Sequence, residues 1–327
     1  MNKLLDTYHR RIDYMRISVT DRCDLQCIYC TERAMERLMH LDILRYEEIE
    51  KIVRAAAQLG VKSLRLTGGE PLARPDVSQL VRLLVEVDGI NDITMTTNGT
   101  LLGRYAAELE AAGLERVNVS LDTFKADKYK YITGSDKLKD VLEGIETAGK
   151  AGLTPVKINV VVMRGINDDE VLDFAAKSID DGWHVRFIEK MPLVGDESGS
   201  GDMVSIGEIK TNIQEKFGQL ESCQTKSGKG PAKYYRLPGA EGTLGFIGPV
   251  TECFCATCNR FRLTADGRLR PCLLEDDEID IKGPLRNGAS IDELEQLMRQ
   301  AAAMKRQRHR LNEGFTRSKR KMWQIGG

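Results

Sequence analysis

Two groups of cysteines carry the clearest chemical signal in this sequence. The first group is Cys23, Cys27 and Cys30, with C-x3-C-x2-C spacing. Three thiolates in so short a loop suit three irons of a [4Fe–4S] cluster, a cluster that usually takes four cysteines. The fourth iron is then open to a substrate or cofactor that receives an electron. A zinc site is the alternative, although zinc sites more often show paired C-x2-C knuckles.

The second group also has three members, with C-x2-C-x13-C spacing: Cys255, Cys258 and Cys272. The Asp266-Gly267 pair between them is a strong hairpin signal, which predicts that Cys272 folds back towards Cys258. This group again suits an iron–sulfur cluster that is held by three cysteines instead of the usual four. A structural zinc site is the alternative. Two further cysteines are predicted to be bystanders: Cys253, in a tight C-x-C spacing, and the isolated Cys223.

Two arginines lie inside the second cysteine group. Arg260 and Arg262 are two residues apart on a predicted strand, so their side chains share one face. Guanidinium groups match the geometry of phosphate, which predicts an anionic substrate beside this cluster. A solvated strand face is the alternative interpretation.

A rhythm of strands and helices must position these groups. Apolar, β-branched runs predict six strands: Met15–Val19, Ser63–Leu66, Ile93–Thr97, Arg116–Leu121, Val156–Met163 and Val185–Glu189. Helical patterns alternate with them: Tyr46–Leu59, Val77–Val87, Tyr105–Ala112, Leu138–Ala151, Asp168–Asp181 and Ile206–Phe217. This alternation predicts an α/β fold, a partial (β/α)6 TIM-type barrel, although a doubly wound sheet fits almost as well. The first cysteine loop follows the first strand, at the end where barrels carry their chemistry.

The pattern changes after the sixth strand. A glycine-rich loop is predicted at 195–202, and a soft spot at 226–231 marks a domain boundary. We therefore predict a barrel with an N-terminal extension over 1–230 and a cluster-bearing region over 231–327. The second region is expected to contain short antiparallel strands, a final helix at Ile291–Gln307 and a basic tail.

Composition narrows the class of protein. The 327 residues carry a formal net charge of −1, with 41% hydrophobic and 30% charged residues, which is typical of a globular enzyme. A charge so close to zero argues against a surface built wholly for nucleic acid or membrane. No apolar stretch is long enough to span a bilayer and no signal peptide is visible, which predicts a cytoplasmic protein with reduced thiols.

The first cysteine loop and the run Thr67-Gly-Gly-Glu-Pro71 together resemble the radical S-adenosylmethionine (SAM) superfamily. In that superfamily the open iron chelates SAM, and an electron from the cluster cleaves its C–S bond to give a 5′-deoxyadenosyl radical. The glycine pair lacks Cβ atoms, so we expect its backbone to approach the SAM amino group closely and to adopt positive φ.

Further runs in order resemble one family within it, that of molybdenum-cofactor biosynthesis protein A, whose members are GTP 3′,8-cyclases. These runs are RISVTDRC, TGGEPLARPD, MTTNG, VNVSLDT, VVMRGIND, IEKMP and CATCNRFRLTADGRLRPC. The resemblance covers nearly the whole chain and includes the Gly326-Gly327 ending, which that family uses at its active site. It departs at Ser63, where the family usually has lysine, so one phosphate contact is missing or moved.

The resemblance implies a set of site residues. The implied ligands of two [4Fe–4S] clusters are Cys23, Cys27, Cys30, Cys255, Cys258 and Cys272. The implied SAM contacts are Tyr29, Gly69, Ser120 and Met191. The implied GTP contacts are Arg16, Arg65, Thr96, Lys157, Arg260, Phe261 and Arg262, among which we expect Arg16, Arg260 and Arg262 to shape the reaction by their charge. Independently of the family, Arg16, Arg65 and Lys157 lie on three predicted strands and share one interior if their pleat phases agree.

The resemblance also implies a reaction. The adenosyl radical removes the 3′ hydrogen of GTP, the 3′ carbon adds to C8 of guanine, and the resulting radical is reduced and protonated. The product is (8S)-3′,8-cyclo-7,8-dihydroguanosine 5′-triphosphate, which passes to cyclic pyranopterin monophosphate synthase. An external electron donor and a homodimer are expected on the same ground.

Two other functions compete with this one. A radical SAM peptide-modifying enzyme with an auxiliary cluster is the nearer alternative, although such enzymes usually carry more cysteines downstream. A non-enzymatic metal-cluster protein that binds nucleic acid is the other, favoured by nine Lys/Arg against one Glu in residues 299–327. The Gly-Gly-Glu-Pro run beside the cysteine loop argues against it.

Overall fold

A single long sheet organises the molecule. The computed structural model describes residues 3–30, 37–191, 203–224, 230–310 and 320–326. Its strands are β1 Tyr14–Ser18, β2 Ser63–Thr67, β3 Asp92–Thr97, β4 Arg116–Ser120, β5 Lys157–Val162, β6 His184–Glu189, β7 Glu221–Ser222, β8 Lys233–Arg236, β9 Thr243–Ile247, β10 Arg260–Leu263, β11 Arg268–Arg270 and β12 Ile279–Asp280.

Helices follow most of these strands. Their bounds are α1 Tyr46–Gln58, α2 Val77–Val85, α3 Leu102–Ala111, α4 Ala126–Thr133, α5 Leu138–Lys150, α6 Val171–Asp180, α7 Ile206–Phe217, α8 Lys282–Arg286 and α9 Ile291–Ala303. Within the described ranges, no helix is both long enough and apolar enough to cross a membrane.

The strand order is β12-β11-β10-β1-β2-β3-β4-β5-β6-β9-β8-β7. From β10 across to β9 every neighbouring pair is parallel, and antiparallel strands continue the sheet at both edges. The predicted α/β fold, with a parallel sheet and short antiparallel strands in the C-terminal part, is therefore confirmed. The sheet extends the six predicted parallel strands to eight, because β10 adds beside β1 and β9 beside β6. Strands on both sides of residue 230 belong to this sheet, and a domain boundary at that residue stays a prediction.

The six predicted strands lie within one residue of their predicted bounds, whereas several helices differ. Helix α6 begins at Val171 because residues 168–170 form a 3-10 turn. Helix α9 ends at Ala303, four residues before the prediction, and Lys305 beyond it donates hydrogen bonds to the carbonyls of Arg260 and Pro271. Helix α4 was not predicted. The predicted loop at 195–202 and most of the soft spot at 226–231 lie outside the described residues.

Alternation along the strands separates the core from the interior of the barrel. In β1, Met15 and Ile17 are fully buried in the apolar core, whereas Arg16 points to the opposite face. In β2, Leu64 and Leu66 join the same core and Arg65 shares the face of Arg16. The outer apolar side chains pack against the helices, so the inner face is left to polar and charged groups.

Two glycines of α5 test how closely the helices pack. A Cβ at Gly144 would lie 2.8 Å from the carbonyl oxygen of Gly99, whereas a Cβ at Gly149 meets nothing within 4 Å. We predict that Gly149→Ala raises the free energy of unfolding by up to about 1 kcal/mol, because alanine favours helix over glycine. Gly144→Ala in the same helix should lower it instead. Thermal melts of both variants check this, and equal shifts would contradict the packing.

Candidate active site

One cavity at the carboxyl ends of the parallel strands is lined by both cysteine groups. The cavity volume is about 320 Å³, which lies within the roughly 300–1,000 Å³ that is usual for a small-molecule pocket. All six predicted cluster ligands line it: Cys23, Cys27, Cys30, Cys255, Cys258 and Cys272.

The first cysteine loop folds into a compact turn directly after β1. The backbone N–H of Cys30 donates to the carbonyl of Cys27 at 2.9 Å, and the N–H of Leu25 donates to Cys23 Sγ at 3.4 Å. Burial raises the pKa of the Cys23 and Cys30 thiols to about 12. Bound iron would reverse this, because a coordinating thiol is deprotonated by the metal. Three half-buried free thiols in one turn fit an iron–sulfur cluster.

The second cysteine group surrounds the start of β10. The N–H of Cys258 donates to the carbonyl of Cys255 at 3.1 Å, and the β10–β11 hairpin brings Cys272 to the same cavity. Burial raises the pKa of Cys258, but the positive charges of Arg260 and Lys305 outweigh it and lower the pKa to about 6. A thiol that ionises so readily fits a metal ligand.

The Gly68-Gly69 pair packs against the segment that leads into the first cysteine loop. A Cβ at Gly69 would lie 2.3 Å from the carbonyl oxygen of Arg22, and one at Gly68 would lie 2.7 Å from that of Thr20. The N–H of Gly69 donates to that Thr20 carbonyl at 2.8 Å. Our expectation of positive φ here was wrong, since neither glycine adopts it. These glycines are required because their backbone lies against the backbone of Thr20 and Arg22.

The four predicted SAM contacts line the same cavity as the first cysteine group: Tyr29, Gly69, Ser120 and Met191. The Tyr29 hydroxyl donates to Asp122 Oδ2 at 2.6 Å and is thereby fixed in place. Burial raises the pKa of Asp122 to about 6, against the opposing effect of this hydrogen bond.

Three arginines stand side by side across neighbouring strands. In the register of the sheet, Arg16 lies opposite Arg65 on one side and opposite Arg262 on the other. Burial lowers the pKa of Arg16 to about 9, and the charges of Arg65 and Arg260 add to the effect. The pKa of Arg262 falls well below its usual value, through burial and then through Arg16. So much buried positive charge favours an anionic ligand in the cavity.

The carboxylates of the same cavity are occupied by donors of the protein. Glu70 accepts from the N–H groups of Leu72 and Asn98, at 3.0 and 2.7 Å. Glu189 accepts from the N–H groups of Ile206 and Val250, both at 3.0 Å. These acids therefore stabilise loops through backbone hydrogen bonds.

Several polar atoms facing this space are buried without a hydrogen-bond partner in the part of the chain that the structure describes: Thr96 Oγ1, Asn159 Oδ1, Arg65 Nε and Arg186 Nε. Such atoms are costly unless a ligand satisfies them. Together with the arginine row they fit a polar, anionic ligand.

Residues 322–326 cover one side of the arginine row. The carbonyl oxygen of Gly326 accepts hydrogen bonds from Arg16 at 3.2 Å and from Arg262 at 3.4 Å. Gly326 has φ +78°, and a Cβ there would lie 2.6 Å from Thr67 Oγ1, so only glycine fits. Trp323 lines the cavity, and its backbone N–H donates to the thiol of Cys30. This segment therefore contacts the arginines and the first cysteine group together.

Comparisons with known proteins agree with this arrangement. The profile of the Radical SAM superfamily matches residues 17–177, and that of Molybdenum Cofactor Synthesis C matches residues 183–311. The GTP 3′,8-cyclase of Pelotomaculum thermopropionicum is 52% identical over 98% of this chain and 99% of its own length. The chain belongs to the GTP 3′,8-cyclase family. The family member of Moorella thermoacetica is 50% identical over the same shares of the two chains.

Membership of the cyclase family confirms the predicted cofactors. A radical SAM enzyme uses a [4Fe–4S] cluster and SAM, and members of this family carry a second cluster in the C-terminal part. The first family profile ends at residue 177 and the second begins at residue 183. The domain boundary at residue 230 stays a prediction.

A solved structure resembles the fold of this cyclase. Streptococcus suis SuiB bound to S-adenosylmethionine superimposes with a TM-score of 0.63 at 15% identity, over 86% of this chain and 65% of that one. An identity this low shows a common fold alone. The much closer sequence relatives are cyclases, which disfavours the peptide-modifying alternative.

Two of the predicted GTP contacts of the cyclase do not line the cavity. Lys157 is buried at the start of β5, deeper in the barrel, with its Nζ 5.4 Å from the centre of the Tyr234 ring. Phe261 lies between Arg260 and Arg262 on β10, so the alternation of the strand turns its fully buried side chain into the apolar core. A side-chain contact between Phe261 and a ligand in the cavity is therefore not possible in this arrangement.

Sequence reasoning missed Arg186, which lines the cavity of the cyclase from β6. Burial lowers the pKa of Arg186, and the positive charge of Arg65 contributes to the shift. Its signal was present, because Arg186 occupies an inward phase on a predicted strand, opposite Asn159 of β5. His309 and Trp323 also line the cavity and carried no local signal in the sequence.

Three cations of the basic tail pair with carboxylates within the described residues. Arg320 binds Asp266 and Glu278, and Arg306 and Arg310 both bind Glu275. These ion pairs use three of the nine cations that favoured a nucleic-acid-binding function, and to that extent they weigh against it.

Iron content tests the two cysteine groups. We predict about eight irons per chain after oxygen-free reconstitution, and about four in Cys30→Ala or Cys272→Ala, since each change removes a ligand of one cluster. Cys223→Ala should keep about eight irons, because Cys223 directly follows the edge strand β7 and lies near Lys233 and Tyr234.

Cys272→Ala should also leave SAM binding intact, as measured by equilibrium dialysis. Loss of SAM binding together with the second cluster would show that the two sites are not separate.

Proposed function

We propose that this cavity is where the protein, a radical SAM GTP 3′,8-cyclase, converts GTP to (8S)-3′,8-cyclo-7,8-dihydroguanosine 5′-triphosphate. This is the first step of molybdenum cofactor biosynthesis. The observation that carries the assignment is the row Arg262–Arg16–Arg65, which lies in a cavity lined by both cysteine groups. A triphosphate carries about four negative charges, and guanidinium groups suit it in charge and geometry.

Cys23, Cys27 and Cys30 would hold a [4Fe–4S] cluster, which would supply the electron for reductive cleavage of SAM. The chain's own part at this end is to hold SAM against Cys23, Cys27 and Cys30. Gly69 presents backbone close to the cysteine loop, and Tyr29 is oriented by its hydrogen bond to Asp122. Ser120 and Met191 complete the predicted contacts from the ends of β4 and β6.

Arginines bind and orient GTP at the other end. Arg65, Arg16 and Arg262 hold the triphosphate, with Thr96 as a hydroxyl partner whose oxygen has no partner among the described residues. The guanidinium of Arg260 lies 4.8 Å from the centre of the Phe254 ring, beside the second cysteine group, where the guanine base is expected. Arg16, Arg260 and Arg262 thereby shape the charge around the reacting sugar and base.

The segment 322–326 keeps water from the reacting centre. Trp323 and Gly326 are nearly inaccessible to solvent and cover the arginine row. Exclusion of water protects a radical from side reactions. The Gly326 carbonyl also occupies guanidinium donors of Arg16 and Arg262 that a bound triphosphate would use, so GTP is expected to shift this contact.

The wider setting is proposed on the family's properties. The product passes to cyclic pyranopterin monophosphate synthase, and an external donor supplies the electrons; the Molybdenum Cofactor Synthesis C profile supports this pathway. A cytoplasmic location and a homodimer belong to the same proposal.

Dependence of SAM cleavage on GTP tests the function. We predict that the reconstituted protein, with dithionite and without oxygen, forms 5′-deoxyadenosine only when GTP is added. Arg262→Met should lower this rate by about 10²–10³-fold, because it removes a charge aimed at the substrate. Arg82→Met, on the exposed face of α2, is the matched control and should keep the rate. Chromatography of the reaction mixtures measures both, and an equal yield with and without GTP would overturn the cyclase assignment.

The pH dependence of GTP binding tests Lys157. Burial, and then Arg186, lower the pKa of Lys157 to about 7, so at pH 8 the amine of the free protein is mostly neutral. Lys157 does not line the cavity, but its charge is coupled to those of Arg186 and Arg65, which do, so a bound triphosphate favours the charged amine. Binding therefore takes up a proton and weakens by up to about tenfold between pH 7.5 and 8.5. Lys157→Arg stays charged and should remove this fall. Calorimetric titration in buffers of different ionisation enthalpy measures the uptake, and an unchanged pH slope in Lys157→Arg would refute the role.

A further inference from the structure

We propose that Cys253, Cys255 and His309 form a site for a single thiophilic divalent cation such as Zn²⁺, and that this site shares Cys255 with the second cluster. The site goes beyond the proposed function, because Cys253 and His309 have no part in the cyclase reaction described above. It is also distinct from the three-cysteine group, since Cys258 and Cys272 do not belong to it.

The distances suit a tetrahedral ion. The Sγ atoms of Cys253 and Cys255 and a ring nitrogen of His309 all lie within 4.8 Å of one another. Zinc binds sulfur at about 2.3 Å and imidazole nitrogen at about 2.0–2.1 Å, so a tetrahedral angle places the two ligand atoms about 3.6 Å apart. Cys253 Sγ and His309 Nε2 are 3.6 Å apart. Cys253 Sγ and His309 Nε2 therefore already stand at zinc-ligand spacing, and Cys255 Sγ lies within reach of both.

The surroundings hold this group together. The ring of His309 is buried, with Nε2 3.0 Å from the carbonyl oxygen of Pro249. The backbone N–H of His309 donates to Cys255 Sγ, which ties the segment after α9 to the cysteine loop. On binding, the two thiols release their protons, and the His309 proton moves from Nε2 to Nδ1. Nε2 then exchanges its contact with the Pro249 carbonyl for the ion. Three protein ligands leave a fourth position for water.

Sharing of Cys255 makes the two occupants exclusive. A single cation that holds Cys255 removes one of the three thiolates that the second cluster needs. The first cysteine group has no member in the cation site. Zinc should therefore block loading of the second cluster while the first cluster still forms.

Cobalt binding to the full-length chain, before iron and sulfide are added, tests the site. We expect Co²⁺ alone to give thiolate-to-cobalt absorption with the visible bands of a tetrahedral ion. Cys253→Ser and His309→Asn should each weaken Co²⁺ binding at least tenfold, whereas Cys223→Ser should leave it unchanged. Absence of the thiolate bands in the unaltered chain would overturn the proposal. So would bands that survive Cys253→Ser and His309→Asn but disappear in Cys258→Ser or Cys272→Ser, because the ion would then sit on the cluster cysteines.

Reconstitution in excess zinc tests the exclusivity and the integrity of the variants. In the unaltered protein, the iron content should fall from about eight to about four per chain, because one of the two [4Fe–4S] clusters is lost. In Cys253→Ser it should stay near eight. The zinc-free sample of Cys253→Ser, expected to hold about eight, verifies that the variant folds. An equal loss of iron in both proteins would contradict a shared Cys255 site. GTP-dependent SAM cleavage plays no part in these readings, so failure of this site and failure of the proposed function are distinguishable.

Discussion

Mutual repulsion within the row Arg262–Arg16–Arg65 is the constraint on which the site depends. Parallel pairing forces these three guanidinium groups onto adjacent strands at the same level of the sheet. Burial and neighbouring charge depress the pKa of Arg16 and of Arg262, so charging this row without a counter-ion is unfavourable. Glu70 and Glu189 direct their oxygens to backbone N–H groups, and an anionic ligand in the cavity would lower the repulsion within the row.

The sheet that creates this repulsion also places the rest of the chemistry. Strand β10 adds in parallel beside β1, so the second cysteine group arrives next to the first at the carboxyl edge. Segment 322–326 then packs over the arginine row and the first cysteine group, through Gly326 on the arginines and Trp323 on Cys30. The positions of the cysteine loops, the arginine row and segment 322–326 thus all depend on the same strand order. A change in the pairing of β10 with β1 would separate all of them.

Local pattern was enough to predict the strands and the cysteine groups. Hydrophobic runs and glycine caps located six strands to within one residue, and the cysteine spacing identified two groups that line one cavity. What the pattern could not give was the pairing of distant segments. The addition of β9 and β10 to the parallel sheet depends on contacts far apart in sequence, and so does the approach of His309 to Cys253.

Pleat phase explains two residues at which the lining of the cavity differs from the predicted set, although the GTP contact implied for Phe261 stays a prediction. Phe261 was included because it lies in a family run, yet alternation turns it away from its neighbours Arg260 and Arg262 and into the core. Arg186 was omitted although it faces inward on a strand whose bounds were predicted correctly. Strict application of the two-residue period along each strand would have reversed both choices. The helix ends differed for another reason, since tertiary hydrogen bonds such as those of Lys305 end α9 early.

The central claim is that SAM and GTP react within one cavity, and transfer of a single hydrogen atom measures this directly. GTP carrying deuterium at C3′ should yield 5′-deoxyadenosine that contains one deuterium, detected by mass spectrometry, because the adenosyl radical must reach that carbon. GTP labelled at C2′ should give none. Unlabelled 5′-deoxyadenosine from the C3′-labelled substrate would contradict the account.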